Sequence, residues 1–304
     1  MSVTVFGSLN LDLVAYADNL PTLGQTVTGE KLVRFPGGKG LNQAIAASRS
    51  GSKVLMVGCL GQDSEGDFLN QILLDEKIDS RYISRKQVQT GIAVIEVSKD
   101  GENRILIIPG ANAQVKYELE YLNDSVKPKV ALAQLETPIA EVEKFIISAN
   151  RAGVTTILNP APIQKLSNEL IAACNYLIVN ETEASFLIDK QFEKLNKDEA
   201  QAVGKQLLKM GAKQVIITLG DQGSLYLDTQ NVIYTPAFKI SAIDTTAAGD
   251  AFCGAFTTAL ANGSPIEYAL KFATAAGAIA ATRAGAVPSL PTNNEILSML
   301  ASVQ

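Results

Sequence analysis

From residue 129 onward, short aliphatic and β-branched runs alternate with longer stretches whose apolar residues recur at helical spacing, and this alternation restricts the fold more than any other feature. The runs are Lys129 to Leu135, Val154 to Leu158, Tyr176 to Val179 and Gln214 to Leu219. Helical patterns over Ile139 to Ala152, near Asn168 and over Asp198 to Met210 separate them. Strand, helix, strand in this order predicts an α/β core, a mainly parallel sheet with helices on both faces. Val3 to Leu9 and Val54 to Cys59 read as further buried strands, with helices over Leu41 to Ser50 and Asp63 to Glu76. The Ala-rich tail predicts two more helices, Pro265 to Phe272 and Ala273 to Ala284, whose Ala stripe is core.

Two stretches break the alternation. Leu13 to Ala17 and Lys31 to Phe35 are β-type pieces separated by Pro21, Gly24 and Gly29; Thr90 to Ser98 and Arg104 to Pro109 flank the turn residues Lys99 to Asn103. Neither pair alternates with helices, so they predict a small sheet attached to the core. The expected division is residues 1–12, 37–89 and 110–304 for the core and 13–36 and 90–109 for the small sheet. Ser224 to Asp228 and Asn231 to Thr235 predict an antiparallel hairpin at the edge of the large sheet.

Composition removes whole classes of chemistry. The 304 residues contain no histidine, which excludes a Ser-His-Asp triad, a His-liganded zinc and an imidazole base. Acid-base work must fall to carboxylates, Lys, Tyr or Cys. A formal net charge of −5, without a basic run, argues against nucleic acid as a partner. Cys59, Cys174 and Cys253 are scattered among apolar neighbours and read as reduced core thiols. No apolar stretch is long enough to predict a membrane span, and the start lacks the pattern of a signal peptide, so a cytoplasmic location is expected.

Asp244-Thr245-Thr246-Ala247-Ala248-Gly249-Asp250 places a carboxylate at each end of a turn that enters a helix. Unpaired backbone N–H groups and about half a unit of positive charge collect at such a terminus and favour a phosphate there. A carboxylate beside a bound phosphate is useful as a base that takes a proton from an attacking hydroxyl. Asp250 is equally a candidate helix cap, and the local sequence leaves both roles open. Several polar residues also fall at predicted strand ends, where ligands bind in open α/β sheets: Asn10 and Asp12, Glu136, Asn180 and Glu183, and Thr218 with Gly220 to Gly223. Asn10 and Asp12 can each hydrogen-bond a hydroxyl. Gly37-Gly38-Lys39-Gly40 opens a helix but lacks the spacing of a P-loop, with Val33 and Gly40 at positions that motif reserves for Gly and Ser or Thr.

Taken together, Asn10-Leu11-Asp12, Gly37 to Ala44, Gln134-Leu135-Glu136, Asn159 to Pro162, Asn180 to Glu183, Thr218 to Gly223, Asp244 to Asp250 and Gly285 to Ser289 resemble, in order, the motifs of the ribokinase family of sugar kinases. The resemblance runs nearly end to end. It implies a ribokinase-like three-layer sandwich in which the small sheet is a lid over the sugar and a homodimer contact. It implies an ATP-dependent kinase, most simply one that phosphorylates D-ribose at the 5-hydroxyl with Asp250 as base and the N–H groups around Ala247 to Gly249 as an anion hole. Asn10, Leu11, Asp12, Gly38, Lys39, Gly40, Leu41, Asn42 and Glu136 would hold the sugar with Asp250. ATP and Mg²⁺ would lie near Asn180, Glu183, the Thr218, Leu219, Gly220, Asp221, Gln222, Gly223 loop, Gly249 and Asp250. Thr274 stands where the family often has His or Asn beside adenine. Backbone carbonyls of Ala280, Arg283 and Gly285, with Asp244, Thr246 and Ser289, would form a monovalent cation site, usually K⁺. Other acceptors (deoxyribose, fructose, a nucleoside) are rival enzyme readings, and a sugar-binding regulator on a kinase fold is the non-enzyme rival.

Overall fold

A computed structural model describes residues 2–123, 127–192 and 194–302. In chain order its first half comprises β1 (Val3–Phe6), β2 (Asn10–Ala17), β3 (Lys31–Gly37), α1 (Lys39–Arg49), β4 (Val54–Gly61), α2 (Ser64–Asp75), β5 (Asp79–Lys86), β6 (Gly91–Ser98) and β7 (Asn103–Ile108). There follow α3 (Glu120–Asn123), β8 (Val130–Ala133), α4 (Ile139–Arg151), β9 (Thr155–Leu158), α5 (Asn168–Ala173), β10 (Tyr176–Asn180), α6 (Glu181–Leu187), α7 (Lys197–Lys209) and β11 (Gln214–Thr218). The remainder is β12 (Gly223–Leu227), β13 (Val232–Pro236), α8 (Ala248–Ala261), α9 (Ile266–Ala281) and α10 (Asn293–Ala301).

The central strands are apolar at every position because both of their faces are covered. Along β11, Ile216 joins the core cluster on one side of the sheet while Val215 and Ile217 join the cluster on the other. The first cluster contains residues of α1, α2, α8, α9 and α10, the second residues of α4, α5 and α7, giving a three-layer α/β sandwich. Strand order is β13-β12-β11-β10-β9-β8-β1-β4-β5; the pairs from β11 through β5 are parallel, and β12 and β13 form the expected antiparallel edge hairpin. The chain leaves β1 towards β4 on one side and returns to β8 on the other. The crevice beyond the carboxyl ends of β1 and β8 is therefore a topological switch point, the place where such sheets bind ligands.

The second sheet has order β3-β2-β6-β7. Its β2 starts at Asn10, so Asn10, Leu11 and Asp12 belong to this small sheet's first strand, whereas the sequence suggested a loop after β1. Pairing with β3 brings Asn10 opposite Gly37 and Asp12 opposite Phe35. Two corrections concern helices. The Ala-rich tail is one helix, α9, because nothing between Pro265 and Thr282 interrupts its ladder. α1 begins at Lys39, two residues before the predicted start. Sequence reading also passed over β5, whose partly exposed Arg-rich pattern belongs to a sheet edge, and the short α6, which an Asn180–Glu183 capping box starts. Cys59, Cys174 and Cys253 are free and buried, as expected.

Candidate active site

Two helix N-termini converge on the switch point, and their backbone donors are treated differently. At α1 the protein satisfies them itself: Lys39 N–H donates to Glu136 Oε2 at 3.0 Å, Gly40 N–H to Ser8 Oγ at 3.2 Å and Leu41 N–H to the Ser8 carbonyl at 2.9 Å. Ser8 Oγ in turn donates to Glu136 Oε2 at 2.5 Å. The N–H groups of the first three residues of α1 are thus already taken up, that of Lys39 by a carboxylate, and only the cap, Gly38, has an N–H without a partner among the described residues. Gly40 serves close packing, since a Cβ there would lie 2.4 Å from Ser8 N.

At α8 the donors are left open. Among the described residues the N–H groups of Ala247, Gly249 and Asp250 have no hydrogen-bond partner. The cap is Ala247, in the left-handed region at φ 58°, and not Asp250. That conformation costs a residue bearing a Cβ about 1 kcal/mol, so the turn holds strain beside the site. Gly249 is not needed for an unusual backbone angle. A Cβ on it would meet nothing within 4 Å, so its hydrogen leaves open space in front of the helix.

That space is a cavity of about 210 Å³ lined by Lys39, Asn159, Ala161, Ile178, Val179, Asn180, Glu183, Thr218, Thr245, Ala247, Gly249, Asp250 and Cys253. Asp250 is 7% exposed and receives Asn42 Nδ2–H at 3.0 Å and Gln43 Nε2–H at 2.8 Å, one on each oxygen. Burial pulls the Lys39 ammonium down, but the Asp250, Glu136 and Glu183 carboxylates, with Cys253, outweigh it and hold it above its usual value. Lys39 therefore stays cationic beside the open N–H groups. Together they form a site for an anion with a buried carboxylate at its edge.

The other predicted residues fall into three groups. Asn10, Asp12, Gly38, Asn42 and Glu136 lie around the start of α1 and β2. Asn112 donates through Nδ2 to Asn10 Oδ1 at 2.7 Å, which turns the Asn10 amide N–H outward from that contact. Asn42 Oδ1 is buried without a partner, an acceptor waiting for a donor. Burial raises the Asp12 carboxyl from 3.8 to about 7, and the neighbouring Glu136 and Asp250 charges add to the effect. Gly37 is glycine because a Cβ would sit 2.1 Å from Asp12 Oδ2.

Asn180 and Glu183 are first of all a helix cap: the Glu183 carboxylate accepts from Asn180 N–H at 2.8 Å and from Asn180 Nδ2 at 3.1 Å. Burial nevertheless raises the Glu183 carboxyl, only partly offset by the Asn180 hydrogen bond and Lys39. Leu219, Gly220, Asp221, Gln222 and Gly223 form the turn between β11 and β12, and Asp221 pairs on the surface with Lys194 at 2.8 Å. The Thr274 hydroxyl donates to the Leu270 carbonyl at 2.8 Å, so it is engaged inside its own helix.

The loops carrying the candidate cation ligands are tied together. Asp244 accepts from Thr246 N–H at 2.9 Å and Gly285 N–H at 2.8 Å, and its own N–H reaches the Ala281 carbonyl. Burial pushes the Asp244 carboxyl up, but these hydrogen bonds outweigh it and hold it below its usual range. Ser289 Oγ donates to the Ala286 carbonyl at 2.7 Å, and Ala280's carbonyl accepts from Arg283 N–H at 3.1 Å. Arg283 also pairs with Glu295. The donor set here is oxygen only, ionised at Asp244, and fits a hard monovalent cation. Ser8, Asn112 and the amide of Gln43 were given no role by the sequence; Ser8 and Asn112 are polar residues next to strand ends or turns, the one signal that could have marked them.

Comparison with known proteins follows the same lines. The profile of the pfkB family carbohydrate kinases matches residues 1–293. A ribokinase of Haemophilus influenzae is 37% identical over 98% of this chain and 98% of its own length. A deoxyribokinase of Salmonella typhi is 32% identical over 98% and 99%. Among solved structures, Arabidopsis thaliana ribokinase complexed with ribose and ATP superposes with a TM-score of 0.91 at 30% identity, covering 98% of each chain.

Proposed function

The chain belongs to the pfkB family of carbohydrate kinases, and we propose that it transfers the γ-phosphoryl group of ATP to the 5-hydroxyl of D-ribose, giving ribose 5-phosphate. The observation that carries this reading is Asp250, a buried carboxylate held on both oxygens, in one cavity with Lys39 and the open N–H groups of α8. Asp250 takes the proton as the hydroxyl attacks. The N–H groups around Ala247 to Gly249 and the Lys39 ammonium stabilise charge on the phosphoryl in flight. Asn10, Leu11, Asp12, Gly38, Lys39, Gly40, Leu41, Asn42 and Glu136 enclose the sugar, with Asp12 accepting from its hydroxyls. Asn180, Thr218, the Leu219 to Gly223 turn, Gly249 and Thr274 take the nucleotide. With its hydroxyl committed to Leu270, Thr274 offers adenine a methyl surface.

Glu183 and Asn180, which line the cavity, would hold Mg²⁺ there through water. The ion would supply positive charge against the phosphates of the nucleotide. K⁺ belongs among Asp244, Thr246, Ala280, Arg283, Gly285 and Ser289, where its charge would steady the turn before α8. The small sheet, with β2 starting at Asn10 and β3 ending at Gly37, acts as a lid that keeps water from the phosphoryl group. Exposed Leu32, Ile105, Leu106 and Ile107 on β3 and β7 favour a second copy of the lid as partner, hence a homodimer. Neither nucleic acid nor membrane is a partner, and the cytoplasm is the location.

An ADP-release assay over ribose, deoxyribose, fructose and nucleosides tests the reading. Ribose is expected to give the highest kcat/KM, and withholding K⁺ to lower turnover severalfold. Faster turnover of deoxyribose would reassign the acceptor, and sugar binding without turnover would favour a regulator. Gly37→Ala is expected to raise the ribose KM about tenfold, ~1.4 kcal/mol, by driving Asp12 aside, with the ATP KM unchanged; an unaltered ribose KM would detach Asp12 from the sugar.

A further inference from the structure

Gln43, Gln134 and Asn159 stand in three of the sequence motifs, yet none has a part in the chemistry above. We infer that Gln43, clamped by Gln134 at the end of β8 and Asn159 at the end of β9, is a positioning residue that fixes the Asp250 carboxylate for proton abstraction. The inference rests on Asp250 being the base.

Gln43 is wholly buried, where an unpaired amide group costs about 1–3 kcal/mol. Each of its polar atoms is paired. Oε1 accepts from Gln134 Nε2 at 2.7 Å; Nε2 donates to Asn159 Oδ1 at 2.9 Å and to Asp250 Oδ1 at 2.8 Å. The clamp fixes the sense of the amide. Turning it over would set its oxygen against two other oxygens and its NH₂ against the Gln134 donor. Asn159 is itself oriented, because its Nδ2 donates to the Ile178 carbonyl at 3.0 Å, leaving Oδ1 towards Gln43. The ends of β8 and β9, the latter braced by the middle of β10, thus reach the base through one amide.

Packing supplies the reach. α1 and α8 cross at Gly254, where an added Cβ would lie 2.7 Å from the Gln43 carbonyl oxygen and 2.5 Å from Ala46 Cβ. With Asn42 on Oδ2, Asp250 has an amide on each oxygen, and roughly two of its four acceptor sites remain for the substrate hydroxyl. Losing Gln43 leaves the carboxylate held at one oxygen and free to turn about its last torsion. A misplacement on the order of 1 Å can cost about 10²-fold in rate. Sugar binding is unaffected, since no polar atom of Gln43 is left to contact it.

A double-mutant cycle tests this with whichever sugar wild-type protein turns over, so an error in the acceptor shows in the wild type and an error here only in the variants. Gln43→Leu is expected to lower kcat by about 10–10²-fold, with the sugar dissociation constant, from equilibrium titration, within about twofold by the same argument. Gln134→Leu, one residue further from the base, lowers kcat less. The double variant is no slower than Gln43→Leu alone, because Gln134 acts only through Gln43. Gln43→Met keeps the length and bulk of the side chain while removing the donor to Asp250, so it serves if the leucine variant fails to fold; its kcat falls too. Additive losses, a sugar affinity that falls in step with kcat, or full activity in Gln43→Met would each overturn the inference.

Discussion

Asp250→Asn is expected to keep ribose and ATP affinity within a few-fold of wild type and to lower kcat by about 10²–10⁴-fold, the range of a lost general base. The other groups around the cavity cannot take over. Both oxygens of Glu183 are engaged by Asn180, and Glu136 Oε2 caps α1 and accepts from Ser8. Lys39 is held protonated by its carboxylate neighbours, so it has no lone pair to offer. Burial drives the Cys253 thiol well above its ordinary range, with Asp250 and Glu183 adding to the rise, which removes it as a thiolate at neutral pH. The chain has no histidine. Asparagine fills the same volume, so single-turnover ADP release and equilibrium titration of each ligand separate loss of chemistry from loss of binding. Turnover at the wild-type rate would remove Asp250 as the base, and a comparable loss of sugar affinity would make it a binding residue.

How much of this site could be read from the sequence depends on how far apart the contacting residues lie. The turn before α8 was legible because its parts are consecutive: open donors, a helix and Asp250 within seven positions of Asp244. Its strain was not, because attention falls on Gly249 while the left-handed residue is Ala247. The parallel sheet was legible from alternation, and β5 was missed because an edge strand with one open face loses the continuous apolar run that marks a buried one. The capping of α1 by Glu136 bridges 97 positions, the hold of Asn112 on Asn10 102 and that of Gln43 on Asp250 207. No local pattern encodes such pairs. Only the order of strands in the sheet brings them together, and that order is why three motifs far apart in the chain act on one carboxylate.

The second large effect is expected from Asp12→Asn, which should weaken ribose binding by about 10²-fold, roughly 3 kcal/mol for two hydroxyl hydrogen bonds to a charged acceptor at ~1.5 kcal/mol each. The pH dependence sets this apart from a general loss of fold. In the folded protein without sugar, burial first, then the Glu136 and Asp250 charges, raise the Asp12 carboxyl from 3.8 to about 7. Between those values the folded state keeps a proton that the unfolded chain has released. The stability associated with the neutral form is therefore complete below pH 3.8 and is lost as pH rises through about 7. The Asp12 contribution to Tm should fall from pH 5 to pH 8 in wild type and vanish in Asp12→Asn, so that the variant is the more stable protein at pH 8. Ribose acts in the opposite sense. Hydroxyls that donate to Asp12 favour its ionised form, so binding releases a proton, and affinity rises with pH up to about 7 before levelling off. Calorimetric titration in buffers of different ionisation enthalpy measures that proton directly. A ribose affinity independent of pH between 5 and 8, or proton uptake on binding, would mean that Asp12 meets the sugar as a neutral donor, and the acceptor role assigned to it would fall.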